Sequence, residues 1–242
     1  VKKNFDISKI REYTVEAGRS DTITEKKLEI IRDFGATRIS VNPQTMNDSV
    51  LEAIGRRHTA KDVVSAFETA RRLGFGNINM DVIAGLPTDT PESFAQTIET
   101  LCGIDPESIT IHTLTVKRSS ALFSEEERRI DGRTGEMVGS GQKRLLGAGY
   151  LPYYLYRQKN TVENLENVGF AKAGYECLYN IYIMEEAQTI LAAGAGGSTK
   201  LVNTETGKIE RLFNYKFPYE YISRYDKMIA KKAGIVKFFS SI

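Results

Sequence analysis

Only two cysteines occur in the 242 residues, Cys102 and Cys177, 75 positions apart. That spacing makes neither a metal motif nor a disulfide framework, and a reduced, cytoplasmic setting is the expectation. Charge of one sign is equally scarce. Lys and Arg number 33 against 31 Asp and Glu, a net charge of +2, and no basic run is present to track a nucleic-acid backbone. "AKKAG" (230–234) reads as a solvated helix face. No apolar stretch approaches the roughly 20 residues that a membrane span needs, and no signal peptide opens the chain. Internal repeats and low-complexity tracts are missing, as are a Ser-His-Asp pattern and a nucleophile elbow. Gly194, Gly196 and Gly197 lack the lysine spacing of a phosphate loop. They read as a tight turn between a helix and a strand.

What is present is ordinary globular composition, 41% hydrophobic and 26% charged. Apolar periodicity lays out strands and helices in alternation. "EYTVEA" (12–17), "TRISVN" (37–42), "NINMDVIAG" (77–85) and "ESITIHTLTV" (107–116) read as strands. Between them lie helices over 22–35, 47–56, 59–75 and 90–104, with Thr24 and Thr90 as caps and Pro91 at the first helical position. Helices between strands imply parallel pairing. Four units are too few to close an eight-stranded barrel, so an α/β partial parallel barrel is expected over 1–118. An α+β accessory region is expected over 119–242. In it, helices fall within 124–150, a strand at 151–158, a loop-like stretch at 161–180, a helix and Gly-rich turn at 184–201, a strand at 208–214 and one terminal helix from 218.

Ligands of such sheets lie at the C-terminal ends of the strands. That directs attention to Glu16, Gln44, Asp81 and Thr115. In "MDVIAGLPTDTPE" (80–92) an acid interrupts an apolar strand that runs into Gly85-Leu86-Pro87. Asp81 is a carboxylate exposed at a sheet edge, one paired with a nearby arginine, or an ionised acceptor for a ribose diol. Arg56, with Arg57 and His58, either serves a helix dipole or offers a planar fork to a carboxylate. His112 and Cys102 read as core residues. This chemistry defines a polar ligand site and leaves the reaction open.

The ordered set "YTVEAGR", "RISVNPQTM", "LEAIGRRHT", "NINMDVIAGLPTDTPESF" and "ITIHTLTVKRSS" resembles the radical S-adenosylmethionine enzymes. Within them it resembles the oxygen-independent coproporphyrinogen III oxidase family. "PYYLYRQKN" and "YNIYIMEEAQTILAAGAGGSTK" are similar to the accessory region of a coproporphyrinogen dehydrogenase branch. The resemblance implies that Asp81, Gln44, Arg56 and Glu16 contact S-adenosylmethionine. It also places Thr115 against the nucleoside, where a small residue is usual.

The family's C-x-x-x-C-x-x-C loop for a [4Fe–4S] cluster is absent, and so is the glycine-rich segment after the next strand. Both are expected upstream of Val1, with two strand–helix units. The expected activity of the whole protein is oxidative decarboxylation of coproporphyrinogen III propionates to vinyl groups. Lys117, Arg118, Arg157 and Lys159 are the candidate cations for the tetrapyrrole's carboxylates. The electron donor is not specified by the sequence, and no nucleic-acid or membrane partner is expected. Two alternatives stand beside this reading: a haem-binding chaperone of the same family, and a non-catalytic binding module. An unpaired edge at "EYTVEA" is expected to favour self-association.

Overall fold

The computed structural model describes residues 6–115 and 132–240. Two compact units divide the chain, Val1–Cys177 and Leu178–Ile242. The boundary expected near residue 118 therefore falls inside the first unit.

The first unit is a six-stranded sheet with five helices. Its strands are β1 (Thr14–Gly18), β2 (Arg38–Val41), β3 (Ile78–Ala84), β4 (Ser108–Thr113), β5 (Leu151–Tyr156) and β6 (Asn167–Ala171). Their order is β1-β2-β3-β4-β6-β5. The first four pair in parallel, and β6 then joins β4 antiparallel and carries β5 at the far edge. Parallel neighbours need crossovers. These are α1 (Glu25–Asp33) between β1 and β2, α2 (Asp48–Ala53) and α3 (Ala60–Arg72) between β2 and β3, and α4 (Pro91–Ile104) between β3 and β4. This is the partial parallel α/β architecture expected from the sequence.

Local chemistry starts each crossover helix where it begins. The side chains of Thr24, Asn47, Thr59 and Thr90 each accept a backbone N–H of the first turn, and Thr59 forms a reciprocal capping box with Asp62. At the other end of the sheet, the Glu107 carboxylate accepts from Arg71 Nη2 at 2.6 Å and from the Ile78 backbone N at 2.9 Å. One acid thus ties α3 to the start of β3 beside β4.

The strands sort their side chains by face, because successive residues point to opposite sides. Ile39, Val41, Ile78, Met80, Val82, Ala84, Ile109, Ile111, Val168 and Phe170 form the buried core with Leu28, Val63, Phe67, Phe94, Ile98 and Leu101 of the helices. α5 (Arg133–Gly147) adds Met137, Val138 and Leu145 to it. The opposite face carries Glu16, Arg38, Ser40, Asn79, Asp81, Ser108, Thr110 and His112. The register puts these beside one another: Glu16 opposite Ser40, Ser40 opposite Asn79, and Asp81 opposite Thr110.

Three expectations about the C-terminal half differ from the structure. Part of the stretch read as a loop at 161–180 is β6, entirely buried, followed by α6 (Leu178–Met184). Its Asn and Gly residues mislead because they have tertiary duties. Asn167 Oδ1 accepts the Thr113 backbone N at 2.6 Å, and Gly169 makes room for the Tyr154 ring. The helix expected from 184 ends at Met184; the chain beyond it runs irregularly and bridges Ile190 to Lys200. The single terminal helix is two, α7 (Pro218–Ser223) and α8 (Tyr225–Ser240), broken at Arg224. The second unit consists of these three helices and the antiparallel pair β7 (Ser198–Val202) and β8 (Ile209–Phe213). Among the described residues no helix is long and apolar enough to cross a membrane.

A Cβ on Gly169 would lie 1.9 Å from Tyr154 Cε1. Gly169→Ala is therefore expected to destabilise the first unit by about 1–3 kcal/mol, the range for overpacking, measured by urea denaturation followed by circular dichroism. Unchanged stability would show that Tyr154 moves aside at no cost.

Candidate functional site

Asp81 stands near the middle of β3 on the polar face, with its side chain 20% exposed. Asn79 Nδ2 donates to its Oδ1 at 2.7 Å, and His112 Nε2 lies 3.6 Å from the same oxygen. Burial works to raise the Asp81 carboxyl, but the neighbouring His112 ring, with Asn79 and Thr110, outweighs it and holds the group below its ordinary range. The acid is thus kept ionised by neighbours on its own strand and on β4.

Asn79 is the hub of that support. Its amide nitrogen also reaches Ser40 Oγ at 3.2 Å, and its carbonyl oxygen accepts from Ser108 Oγ at 3.1 Å and Thr110 Oγ1 at 3.4 Å. Arg38 Nη2 donates to Ser108 Oγ at 2.9 Å. Glu16 on β1 behaves oppositely to Asp81. Crowding by protein and the Asp81 charge push its carboxyl up, against hydrogen bonds from Ser40 and Asn42 and the charge of Arg38.

Gln44 sits at φ 69° just beyond β2. Its backbone N donates to the Asp81 carbonyl at 3.1 Å, and its carbonyl accepts the Ile83 N at 2.9 Å. The turn after β2 is thereby fastened directly alongside Asp81. Arg56 follows α2 and is half-buried; its backbone N donates to the Leu51 carbonyl at 2.8 Å, and its guanidinium has no hydrogen-bond or ion-pair partner among the described residues. Two residues on, buried His58 places Nε2 3.2 Å from the Pro43 carbonyl, tying the Arg56 turn to the Gln44 turn. Gly85 begins the turn after β3 at φ 83°, and a Cβ there would meet Thr134 Oγ1 of α5 at 2.8 Å. That close approach accounts for glycine at the rim.

The structure thus gathers Glu16, Gln44 and Asp81 on one sheet, with the Arg56 turn fastened to them through His58. Thr115 bridges to Thr161, and its hydroxyl donates to Gln158 Oε1 at 2.9 Å. Arg157 is ion-paired with Glu166, and Lys159 is exposed. Lys117 and Arg118 lie outside the described residues.

His112 differs from the core residue expected of it. Its side chain is 26% exposed and it faces Asp81 and Tyr156. Sequence reasoning also passed over Asn79, Ser40, Thr110, Tyr154 and Tyr156. A signal was there: polar residues recur at every second position in "NMD" and "STH" (79, 81 and 108, 110, 112), the mark of a strand with one polar face.

The donor set suits a nucleoside bearing an amino-acid group. An ionised acid accepts hydroxyls, and an uncommitted guanidinium accepts a carboxylate. An iron–sulfur cluster is not matched by these residues. Cys102 lies in α4 with its thiol pushed up by burial, and Cys177 donates to Glu12 Oε1 at 3.3 Å. No group of three potential ligands occurs among the described residues.

Residues 2–101 match the Radical SAM superfamily. The chain belongs to that superfamily and carries a parallel α/β sheet with acidic and amide side chains on one face. Within it the chain is 42% identical over 230 residues to the "Oxygen-independent coproporphyrinogen-III oxidase-like protein HemZ" of Bacillus subtilis, covering 94% of this chain and 46% of that protein. It is 31% identical over 219 residues to the "Heme chaperone HemW" of the same organism, covering 88% and 55%. The solved coproporphyrinogen III oxidase HemN of Escherichia coli shares the fold, with a TM-score of 0.68 at 18% identity over 89% of this chain and 49% of that one. The chain spans about half the length of the curated relatives it matches.

Two expected outcomes test the site. Arg56→Lys is expected to weaken S-adenosylmethionine binding nearly as much as Arg56→Ala, because a point charge does not replace a planar fork. Full recovery by Lys in calorimetry would leave Arg56 to the helix dipole. Glu16→Gln is expected to stabilise the fold at pH 8. A carboxyl raised in the folded state is at no disadvantage below its unfolded pKa, and its cost appears as pH rises through the folded value. The gain should vanish below about pH 4 in denaturation curves across pH.

Proposed function

We propose that this chain is the S-adenosylmethionine-holding part of a protein that oxidatively decarboxylates the propionates of coproporphyrinogen III to vinyl groups. The observation carrying this reading is Asp81 on the polar face of β3, with the Gln44 turn fastened to its backbone and an Arg56 guanidinium that has no partner among the described residues. In such enzymes S-adenosylmethionine supplies the adenosyl radical that removes hydrogen from a substrate carbon. The protein's work is binding, orientation and exclusion of water. Asp81 accepts the ribose hydroxyls, Arg56 takes the methionyl carboxylate as a fork, Gln44 orients the group through its amide, and Glu16 closes the β1 side. Thr115 lies farther along, at the end of β4. Lys117, Arg118, Arg157 and Lys159 are proposed for the substrate's carboxylates; Arg157 would have to exchange Glu166 for the ligand. The cluster is assigned to no residue of this chain, and no step is derived through it.

A second reading is favoured by the 31% identity to a haem chaperone over 88% of this chain. The sheet would then serve to hold a nucleoside cofactor while the protein carries haem and decarboxylates nothing. A vinyl product from coproporphyrinogen III supports the oxidase. Haem binding by absorbance without that product supports the chaperone.

The direct test is calorimetry of this chain with S-adenosylmethionine. Asp81→Asn should weaken binding by about 1–3 kcal/mol, the range for a hydrogen bond to a charged group, with little change in melting. Equal affinity would overturn the assignment. With two cysteines 75 positions apart, this chain alone should yield no stable [4Fe–4S] absorbance and no 5′-deoxyadenosine after anaerobic reconstitution.

A further inference from the structure

His112 turns both ring nitrogens toward partners on different strands. Nε2 lies 3.6 Å from Asp81 Oδ1 on β3, and Nδ1 lies 3.3 Å from the Tyr156 hydroxyl at the end of β5. A neutral imidazole has one donor nitrogen and one acceptor. If Nδ1 carried the proton, Nε2 would aim a lone pair at a carboxylate. With Tyr156 donating to Nδ1, the proton sits on Nε2 and its N–H faces Asp81. The carboxylate, which only accepts, selects that tautomer, and the phenol, able to donate or accept, satisfies the remaining nitrogen.

Tyr156 is itself located by packing. Its ring stacks on Tyr154 at 7° between planes, with centroids 6.2 Å apart, and meets the His112 ring edge-on at 6.3 Å. The Tyr154 ring lies across Gly169 of β6, opposite it in register. The contacts run Gly169, Tyr154, Tyr156, His112, Asp81, across four adjacent strands. None of these residues besides Asp81 lies at a parallel-strand position where a cofactor contact was expected.

We infer that His112 is a positioning residue that aligns the Asp81 carboxylate for its ligand, and that Tyr156 holds the His112 ring in place through Nδ1. The antiparallel pair β5–β6 then acts on the cofactor site through side chains that do not touch the cofactor. This inference rests on the reading that Asp81 receives the hydroxyls of S-adenosylmethionine.

The test is calorimetry of the full chain with S-adenosylmethionine. His112→Phe keeps the ring and removes the N–H. It should weaken binding about tenfold, the equivalent of one hydrogen bond to a charge. His112→Gln returns an amide N–H near the Nε2 position and should recover most of that loss, which a merely space-filling role would not produce. Tyr156→Phe should weaken binding about threefold in the parent chain and not at all in the His112→Phe background, because the two act through one path. Circular dichroism establishes that each variant is folded. Wild-type affinity in His112→Phe, with Asp81→Asn weakened, would overturn the relay and leave the Asp81 reading standing. Wild-type affinity in Asp81→Asn as well would sink that reading too. Should His112→Phe fail to fold, Tyr156→Phe decides: unchanged affinity in that variant overturns the inference.

Discussion

A carboxylate on a sheet face with little access to water must either protonate or be surrounded by donors, and the first unit is organised around the second solution at Asp81. Asn79, Thr110 and His112 converge on it, from its own strand and from β4. Asn79 can serve only because Ser40, Ser108 and Thr110 satisfy its other positions. Buried amides left half-bonded are expensive, so this network constrains β2, β3 and β4 together. A shift of one residue in any of them would turn its polar side chains into the helix-packed core and its apolar ones onto the site.

The same constraint explains the unequal treatment of two acids on one face. Asp81 has the donors and stays below its ordinary range, while Glu16, at the edge strand, is pushed up by crowding and by Asp81 itself. The two carboxylates repel, and the donors favour the charged form at Asp81 more than at Glu16. The far end of the sheet is built differently. There the Glu107 carboxylate is committed to Arg71 and the Ile78 N–H, which secures the strand starts and leaves nothing for a ligand. At the opposite ends the Gln44 turn is held on Asp81's backbone, and the Arg56 guanidinium has no partner among the described residues.

Beyond β4 the architecture stops being parallel. β6 pairs antiparallel with β4 and contributes Gly169, whose missing side chain is the space occupied by the Tyr154 ring. α5 is started from afar: Glu163 accepts the backbone N–H groups of Gly132 and Gly135 at 3.1 and 2.8 Å. Here helix starts and strand pairings are set by partners roughly 30 to 60 positions away. No local capping residue is present at Gly132 to announce the helix.

That contrast separates what the sequence by itself determined from what only the tertiary structure decided. Alternating periodicities and local caps at Thr24 and Thr90 made the four parallel strands and their helices legible, since those signals act within a few residues. The acid on the strand at position 81 and the turn after it were legible by the same means. The strand at 167–171 was not, because its Asn and Gly mark loops locally and acquire their purpose only against Thr113 and Tyr154. Nor was the role of His112 legible from its β-branched surroundings. Which face of β4 meets solvent and which meets helices is settled by register with β3, and the hydroxyl that meets its Nδ1 comes from a strand 44 positions away. Local propensity acts over one or two turns of chain, whereas the charge on Asp81 depends on side chains brought together by sheet order alone.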